Sequence, residues 1–327
     1  MKQINPKVRG YLGPDLAIEA HALIKEEHEG EIPGVSFAKT EFELGTTTTI
    51  KVLNEEGAAA MGKPLGTYIT IEAKKLSDTD RSEHQPIVLA LAQALKEILP
   101  LKNNSSVLIA GLGNARAIPD ALGPMVVNRL LATRHIFLYG EPNMTEGLRN
   151  VSLIVPGVTG VTGLETAEIL KGLIGQLKPD CLLCIDALAA SDFSRLHNTI
   201  QLTDAGIHPG SGIGNMRRQI NQDTMGVPVI AIGVPTVVDA GVIVKKALTA
   251  AQEDFERPGK NNMPCLITEQ RRQAIVDQIL EPFGGRLMVT PKDIDEQVDH
   301  IAQIIAKAVT FSVHPEMEYD EIEYFLH

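Results

Sequence analysis

Two Asp-Ala-Leu tripeptides, Asp120-Ala121-Leu122 and Asp186-Ala187-Leu188, are the residues of this chain best suited to chemistry. The first follows a glycine loop in "GLGNARAIPDALGP" (111–124), and the second follows the apolar run "CLLCI" (181–185). A short, continuously apolar run reads as a buried strand. It delivers Asp186 to its carboxyl end, where open α/β sheets bind ligands. Two carboxylates on one rim can share a proton, because like charges at short range push one pKa up. That leaves one acid and one base for peptide hydrolysis. Alternatively, both bind a metal, with His208 of "TDAGIHPGSGIGNMRR" (203–218) as an imidazole ligand. The spacing leaves both arrangements open. Each aspartate also has a plain structural use, Asp120 at a helix's positive end and Asp186 as the polar cap of a buried strand.

Competing motifs are weaker on physical grounds. Cys181 and Cys184 have CxxC spacing but lie inside the expected strand. Residues i and i+3 of a strand point to opposite faces, so the pair cannot jointly hold zinc or close a disulfide. They read as core packing, and Cys265 lies far off in "NNMPCLITEQ". Gly111-Leu-Gly113-Asn114-Ala-Arg116 begins like a dinucleotide fingerprint. Its third glycine is replaced by Arg116, Pro119 delays the helix, and no acidic residue ends a second strand at the expected spacing.

The surrounding elements must bring these residues together. Asp15 is a good N-cap for a helix ending near Gly30, preceded by a polar arm with Pro6, Gly10, Gly13 and Pro14. The β-branched runs "TTTTIKVLN" (46–54) and "GTYITIEA" (66–73) predict two strands of a small, mostly antiparallel sheet. From residue 86 onward, apolar strands alternate with helices: "PIVLALAQALKEIL", "SVLIAGLGN", "PDALGPMVVNRLLAT", "VSLIVPGVTG", "GLETAEILKGLIGQL", "CLLCIDALAA", "VPVIAIGVPT" and "VVDAGVIVKKALTAAQEDF". That order predicts a largely parallel sheet covered on both faces, followed by C-terminal helices and one short strand.

Composition excludes other classes. The chain has 327 residues, 44% hydrophobic and 22% charged, which suits a packed core. Its net charge of −11, with no basic cluster, argues against direct binding to nucleic acid or an anionic membrane. The N-terminal "MKQINPKVRGYLGPD" has no apolar signal core, and no run approaches a membrane span. Three cysteines do not make a disulfide framework, so a cytoplasmic setting is expected.

Taken together, "GLGNARAIPDALGP", "PGVTGVTGLETAEILKG", "KPDCLLCIDALAA", "TDAGIHPGSGIGN" and "GVPVIAIGVPTVVDA" resemble the bacterial spore germination proteases. "EIPGVS", "LNEEGAAAMGKPLGTYITIEA" and "DLAIEAH" match as well, so the likeness runs from Asp15 to beyond residue 240. The resemblance implies an endopeptidase that degrades small acid-soluble spore proteins in the spore core. It implies a fold similar to the hydrogenase maturation peptidases: α/β, a three-layer αβα arrangement (phosphorylase/hydrolase-like) with a largely parallel mixed sheet plus a small N-terminal β insertion. It further implies a homotetramer without a cofactor, an aspartic pair at Asp120 and Asp186, and a zymogen that removes its propeptide at Asp15-Leu16.

The expected organisation is therefore a propeptide over 1–15 and one peptidase domain over 16–327, with a small β subdomain at about 31–80. Asp15-Leu16-Ala17 has the acidic–apolar–Ala order of the cleavage sites in the spore-protein substrates. Gly111, Gly113 and Asn114 are expected to shape the rim and donate N–H groups to an oxyanion, with His208 on a third wall. The chain departs from the family pattern at three places. Ile118 stands where Thr is usual, Ser191 where an Arg usually follows Asp-Ala-Leu-Ala-Ala, and Gly13-Pro14 where Arg-Thr is common. The missing Arg bears on the charge balance at Asp186, and Pro14 restricts the backbone before the scissile bond. The alternatives are a metal-dependent maturation-type peptidase using Asp120, Asp186 and His208, or a non-catalytic nucleotide- or protein-binding α/β protein.

Overall fold

A computed structural model describes residues 15–27, 30–73, 76, 84–102, 104–210, 217–256, 267–314 and 316–317. The N-terminal region forms α1 (Ala17–Glu27), β1 (Val35–Phe42), β2 (Gly45–Val52), α2 (Glu55–Met61) and β3 (Gly66–Ala73). The Asn54 side chain caps α2 by accepting from the Gly57 N–H at 2.9 Å. β1, β2 and β3 pair antiparallel in turn. Ile50, Val52 and Tyr68 bury one face of this hairpin array against Leu16, Ala17 and Ala20 at the start of α1.

The following segment contains α3 (Gln85–Ile98), β4 (Ser106–Gly111), α4 (Leu122–Val127), α5 (Arg134–Tyr139), β5 (Asn150–Ile154), α6 (Thr159–Thr162), α7 (Thr166–Leu177) and β6 (Cys181–Ala190). It is completed by β7 (Thr199–Thr203), α8 (Gln222–Met225), β8 (Val229–Asp239), α9 (Ala240–Glu256), α10 (Glu269–Leu280), β9 (Met288–Val289) and α11 (Ile294–Val313). Among the described residues the strand order is β1-β2-β3-β7-β8-β6-β4-β5, with β9 on β8. β5, β4, β6 and β8 run parallel, while β7 is antiparallel to both β8 and β3.

Helices cover both faces of the central strands. On one face Val107, Ile109, Cys181, Leu183, Ile185 and Ile232 pack against α3, α4 and α11. Leu108, Ala110, Leu182, Cys184 and Ala231 face α7 and α8 on the other. α11 keeps Ile301, Ile304, Ile305 and Val309 buried, a 3.6-residue repeat that presses it onto α3 and α4. Each fully buried Leu or Ile here contributes roughly 1.5–3 kcal/mol.

Three expectations change. The N-terminal strands do not form a separate small sheet: β3 pairs with β7 and makes them the antiparallel wing of one mixed sheet. The sheet is accordingly less parallel than its apolar runs suggested. β1 and β7 were not anticipated, because β1 is an edge strand with exposed residues on both faces and lacks apolar alternation. The segment 1–14, with Pro14, lies outside the described residues, as do Cys265 and residues 211–216 of the glycine-rich loop.

Candidate active site

Asp186 sits where the parallel core ends. The apolar residues before it fill both faces of the sheet, so the chain places a carboxylate in a site that is only 5% exposed. It accepts a hydrogen bond from the Ala187 N–H at 3.0 Å. Burial pushes its pKa well above the usual carboxylate range, and the nearby charges of Asp120 and Asp15 push it in the same direction. The Ala187 N–H and the Arg217 charge oppose the shift without reversing it.

Asp120 ends a 3₁₀ turn, Ile118–Asp120, that begins with Pro119 in its first positions. Backbone contacts fix that turn. The Asn114 N–H donates to Asp120 Oδ2 at 2.8 Å and to the Asp120 carbonyl at 3.0 Å. On the opposite side the Thr236 hydroxyl of β8 donates to the Pro119 carbonyl at 2.6 Å. Gly113 has φ +106, and a Cβ there would lie 2.1 Å from the Asp120 carbonyl oxygen. Gly123 lets α4 seat against the strand ends: its Cβ would meet the Ile185 and Leu112 carbonyl oxygens at 2.4 Å. These glycines thus lock the first Asp-Ala-Leu turn onto the end of β6. Burial raises the Asp120 pKa, with the Asn114 N–H and Arg217 holding it back.

The Asp120 charge therefore acts on Asp186, and Arg217 acts on both aspartates. Arg217 was not singled out from the sequence. Its Nη1 donates to the Thr159 hydroxyl at the start of α6, at 2.5 Å, which anchors it. The available signal was the Met-Arg-Arg that closes the glycine-rich segment. Arg217 places a cation near Asp186 in a chain that carries Ser191 where the family usually has Arg. Ser191 instead gives its N–H to the buried carboxylate of Glu19 on α1, at 3.1 Å.

A third wall comes from the antiparallel strands. Gln201 of β7, Gly233 of β8 and Asp186 of β6 are cross-strand partners in one row. Gly233 has no side chain, and the Leu188 side chain takes that space, with its Cδ1 2.4 Å from where a Cβ would stand. Leu188, Gly233 and Gln201 line a cavity of about 90 Å³ together with Asp15, Lys63 and His208, while Asp186 and Asp120 lie outside its lining. Asp15 reaches into it, and its carboxylate accepts from the Ala189 N–H at 3.1 Å. The Asp15 carbonyl accepts from Lys63 Nζ at 2.8 Å and from Gln201 Nε2 at 3.4 Å. Leu16 and Ala17 are fully buried behind it.

The sequence-predicted residues therefore divide. Asp120, Asp186, Gly111, Gly113 and Asn114 gather at one rim, and Asp15 joins them from just before α1. Asn114 directs its N–H at Asp120, a supporting role that differs from the oxyanion donation expected of it. Gly111 is needed for close packing, since its Cβ would lie 2.3 Å from the Gly123 carbonyl oxygen. His208 is exposed beside Lys63 and Asp15, where burial and the Lys63 charge lower its pKa. Among the described residues there is no group of three or more His, Cys, Asp or Glu placed to hold a metal ion. Cys181 and Cys184 are free, buried and on opposite faces of the sheet. No helix among the described residues is long and apolar enough to cross a membrane.

Comparison with known proteins gives this geometry a lineage. A sequence model of the family described as germination protease matches residues 15–266 and 262–326. The germination protease of Clostridium tetani is 40% identical, with 95% of this chain and 98% of that protein covered. That of Caldanaerobacter subterraneus subsp. tengcongensis is 42% identical over 96% and 97%. The Bacillus cytotoxicus protein of the same name is 35% identical over 96% of each. The family match begins at Asp15, whose charge acts on Asp186, and this chain belongs to the germination protease family.

Proposed function

We propose that this chain is an endopeptidase of spore germination that cleaves small acid-soluble spore proteins with Asp120 and Asp186 as its catalytic pair. One observation carries the reading: Asp186 is 5% exposed and held above the usual carboxylate range first by burial and then by the charge of Asp120, an arrangement that suits an acid paired with a base. Asp120, the more exposed member, takes a proton from water as the water oxygen attacks the peptide carbonyl carbon. Asp186, protonated, gives its proton to the leaving nitrogen as the C–N bond breaks. Water and peptide become a carboxyl and an amine, and the pair ends with its protons exchanged. No bound cofactor enters this scheme, and activity is expected to survive exhaustive chelation.

The chain is proposed to be made as a zymogen that cleaves its own Asp15–Leu16 bond, freeing a propeptide from the peptidase domain. Supporting this, Asp15 is near enough to raise the Asp186 pKa, and Asp15-Leu16-Ala17 has an acidic–apolar–Ala order. The family resemblance also supports a homotetramer acting in the spore core; light scattering would read it as four chain masses. The deciding experiment is incubation of the purified protein with a small acid-soluble spore protein. Discrete fragments cut between an acidic residue and an apolar–Ala pair are expected, and none from Asp120→Asn or Asp186→Asn. Normal cleavage by either variant would refute the catalytic pair.

A further inference from the structure

We infer that Lys63 and Gln201 form the carbonyl-binding subsite of this peptidase: Lys63 stabilises the oxyanion at the scissile carbonyl, and Gln201 grips the peptide backbone on both sides of the bond. The inference rests on the proposed self-cleavage at Asp15–Leu16. The carbonyl of that bond belongs to Asp15, and Lys63 Nζ already donates to it at 2.8 Å. Gln201 makes two contacts with the same segment. Its Nε2 donates to the Asp15 carbonyl at 3.4 Å, and its Oε1 accepts from the Ala17 N–H at 2.6 Å. One amide thus reads the residue before the bond and the second residue after it, which fixes the register of the intervening Leu16.

The subsite is placed for the chemistry. Gln201 shares a sheet row with Asp186, with Gly233 between them and the Leu188 side chain lying over Gly233. At the usual strand spacing the two Cα atoms are about 10 Å apart. The Ala189 N–H, three residues beyond Asp186 on β6, holds the Asp15 carboxylate and accounts for an acidic residue before the bond. A rim lysine would ordinarily reach for water. Here burial disfavours its charge, and the carboxylates of Asp15 and Glu19 offset part of that cost. When water attacks, the carbonyl π pair moves onto oxygen. Lys63 hydrogen-bonds that oxyanion without giving up its proton, and the pair returns as the C–N bond breaks. A cation aimed at a developing oxyanion in a site shielded from water does the work of an oxyanion hole. The Asn114 N–H is already committed to Asp120, which leaves that work to another donor.

The test follows processing of the purified full chain by mass spectrometry, and turnover of a peptide with an acidic–apolar–Ala site, in Lys63→Met, Lys63→Arg and Gln201→Leu. Removing the cation is expected to lower kcat by about 10²-fold or more, with little change in KM and an unchanged melting temperature. Lys63→Arg keeps a charged donor and should recover much of the loss. Gln201→Leu should raise KM and blur the cleavage register. If Lys63→Met processes itself and turns over peptide at the wild-type rate while Asp120→Asn and Asp186→Asn are inactive, the catalytic pair stands and this subsite is wrong. A Lys63→Met defect confined to KM, or one that Lys63→Arg shares in full, would likewise overturn it. Active Asp120→Asn or Asp186→Asn would instead remove the underlying reading. Should Lys63→Met fail to fold, the Arg and Gln201 variants carry the same comparison.

Discussion

Gln201 and Asp186 stand in one cross-strand row with only Gly233 between them, and Leu188 roofs the gap. A Cβ on Gly233 would approach Leu188 Cδ1 to 2.4 Å, the far end of a flexible side chain. Gly233→Ala is therefore expected to fold and to push Leu188 into the groove that seats the peptide. Cleavage should fall at least about tenfold, mostly through KM, for a misplacement of an ångström or so. Wild-type kinetics in this variant would show that the groove lies elsewhere.

Arg217 opposes the rise in pKa of Asp120 and of Asp186, and its only sequence signal was the Met-Arg-Arg at the end of the glycine-rich segment. Asp120 must be ionised to act as base, so activity rises with pH through its pKa. Without the neighbouring cation that pKa rises. The acidic limb of the pH–kcat/KM profile of Arg217→Gln should therefore move to higher pH. Arg217→Lys should fall between the two. An acidic limb that stays in place would take Arg217 out of the site's electrostatics.

The glycines at the rim differ from those on the surface. Gly123 is enclosed by backbone atoms of Leu112 and Ile185, none of which can move without disturbing β4 and β6. Gly172, in α7, has no atom within 4 Å of the point where a Cβ would stand. Gly123→Ala should cost about 3 kcal/mol or more as overpacking against rigid backbone. Gly172→Ala should stabilise by about 1 kcal/mol through helix propensity. Denaturant unfolding of the two variants measures both, and equal effects would contradict the packing described here.

The sequence showed the aspartates more clearly than it showed the frame that joins them. Asp186 was legible because the apolar run before it can only be a buried strand. Its alternation also separated Cys181 from Cys184 correctly, since each belongs to a different core layer. Asp120 was legible as a helix-start acid behind a glycine loop, but its bond to Asn114 is a tertiary turn that no periodicity encodes. The wall carrying Gln201 was hidden for a similar reason. β7 is only five residues long, and its importance comes from pairing β3 to β8 across a long sequence separation. Lys63 was hidden in a stretch that read as a connection between strands.

Away from the site, His314 accepts the Arg149 N–H at its Nδ1, 3.0 Å away, and is 2% exposed. Burial lowers its pKa to about 4, with the Arg149 charge adding to the effect. The unfolded-state value is about 6.5. A histidine with a depressed folded pKa gives stability that is complete above the unfolded value and is lost as pH falls towards the folded one. At full burial that is roughly 3 kcal/mol, lost between about pH 6.5 and 4. His314→Gln is expected to be less stable than wild type at pH 7, with the deficit narrowing as pH approaches 4. Parallel curves for the two proteins in melting temperature against pH would rule out a neutral, accepting His314.

Asp186 obeys the opposite sign. Its folded pKa is raised above the unfolded value, so its contribution to stability is present at low pH and lost as pH rises through the folded pKa. Ionising it buries a charge beside Asp120 in a site with little water, a cost that the fold carries for the sake of the reaction. Asp186→Asn keeps the shape and an acceptor for the Ala187 N–H, and it removes that ionisation. The variant should be inactive yet at least as stable as wild type, and its advantage in melting temperature should widen from pH 5 to pH 8, by roughly 2–4 °C for each kcal/mol gained. Asp120→Asn should be inactive with a smaller gain, since Asp120 is the less buried member, and it should let Asp186 ionise more readily by removing the neighbouring charge. A melting-temperature gap for Asp186→Asn that is flat across this range, or that closes as pH rises, would mean that Asp186 is not held protonated by its surroundings, and its assignment as the acid of the pair would fail with it.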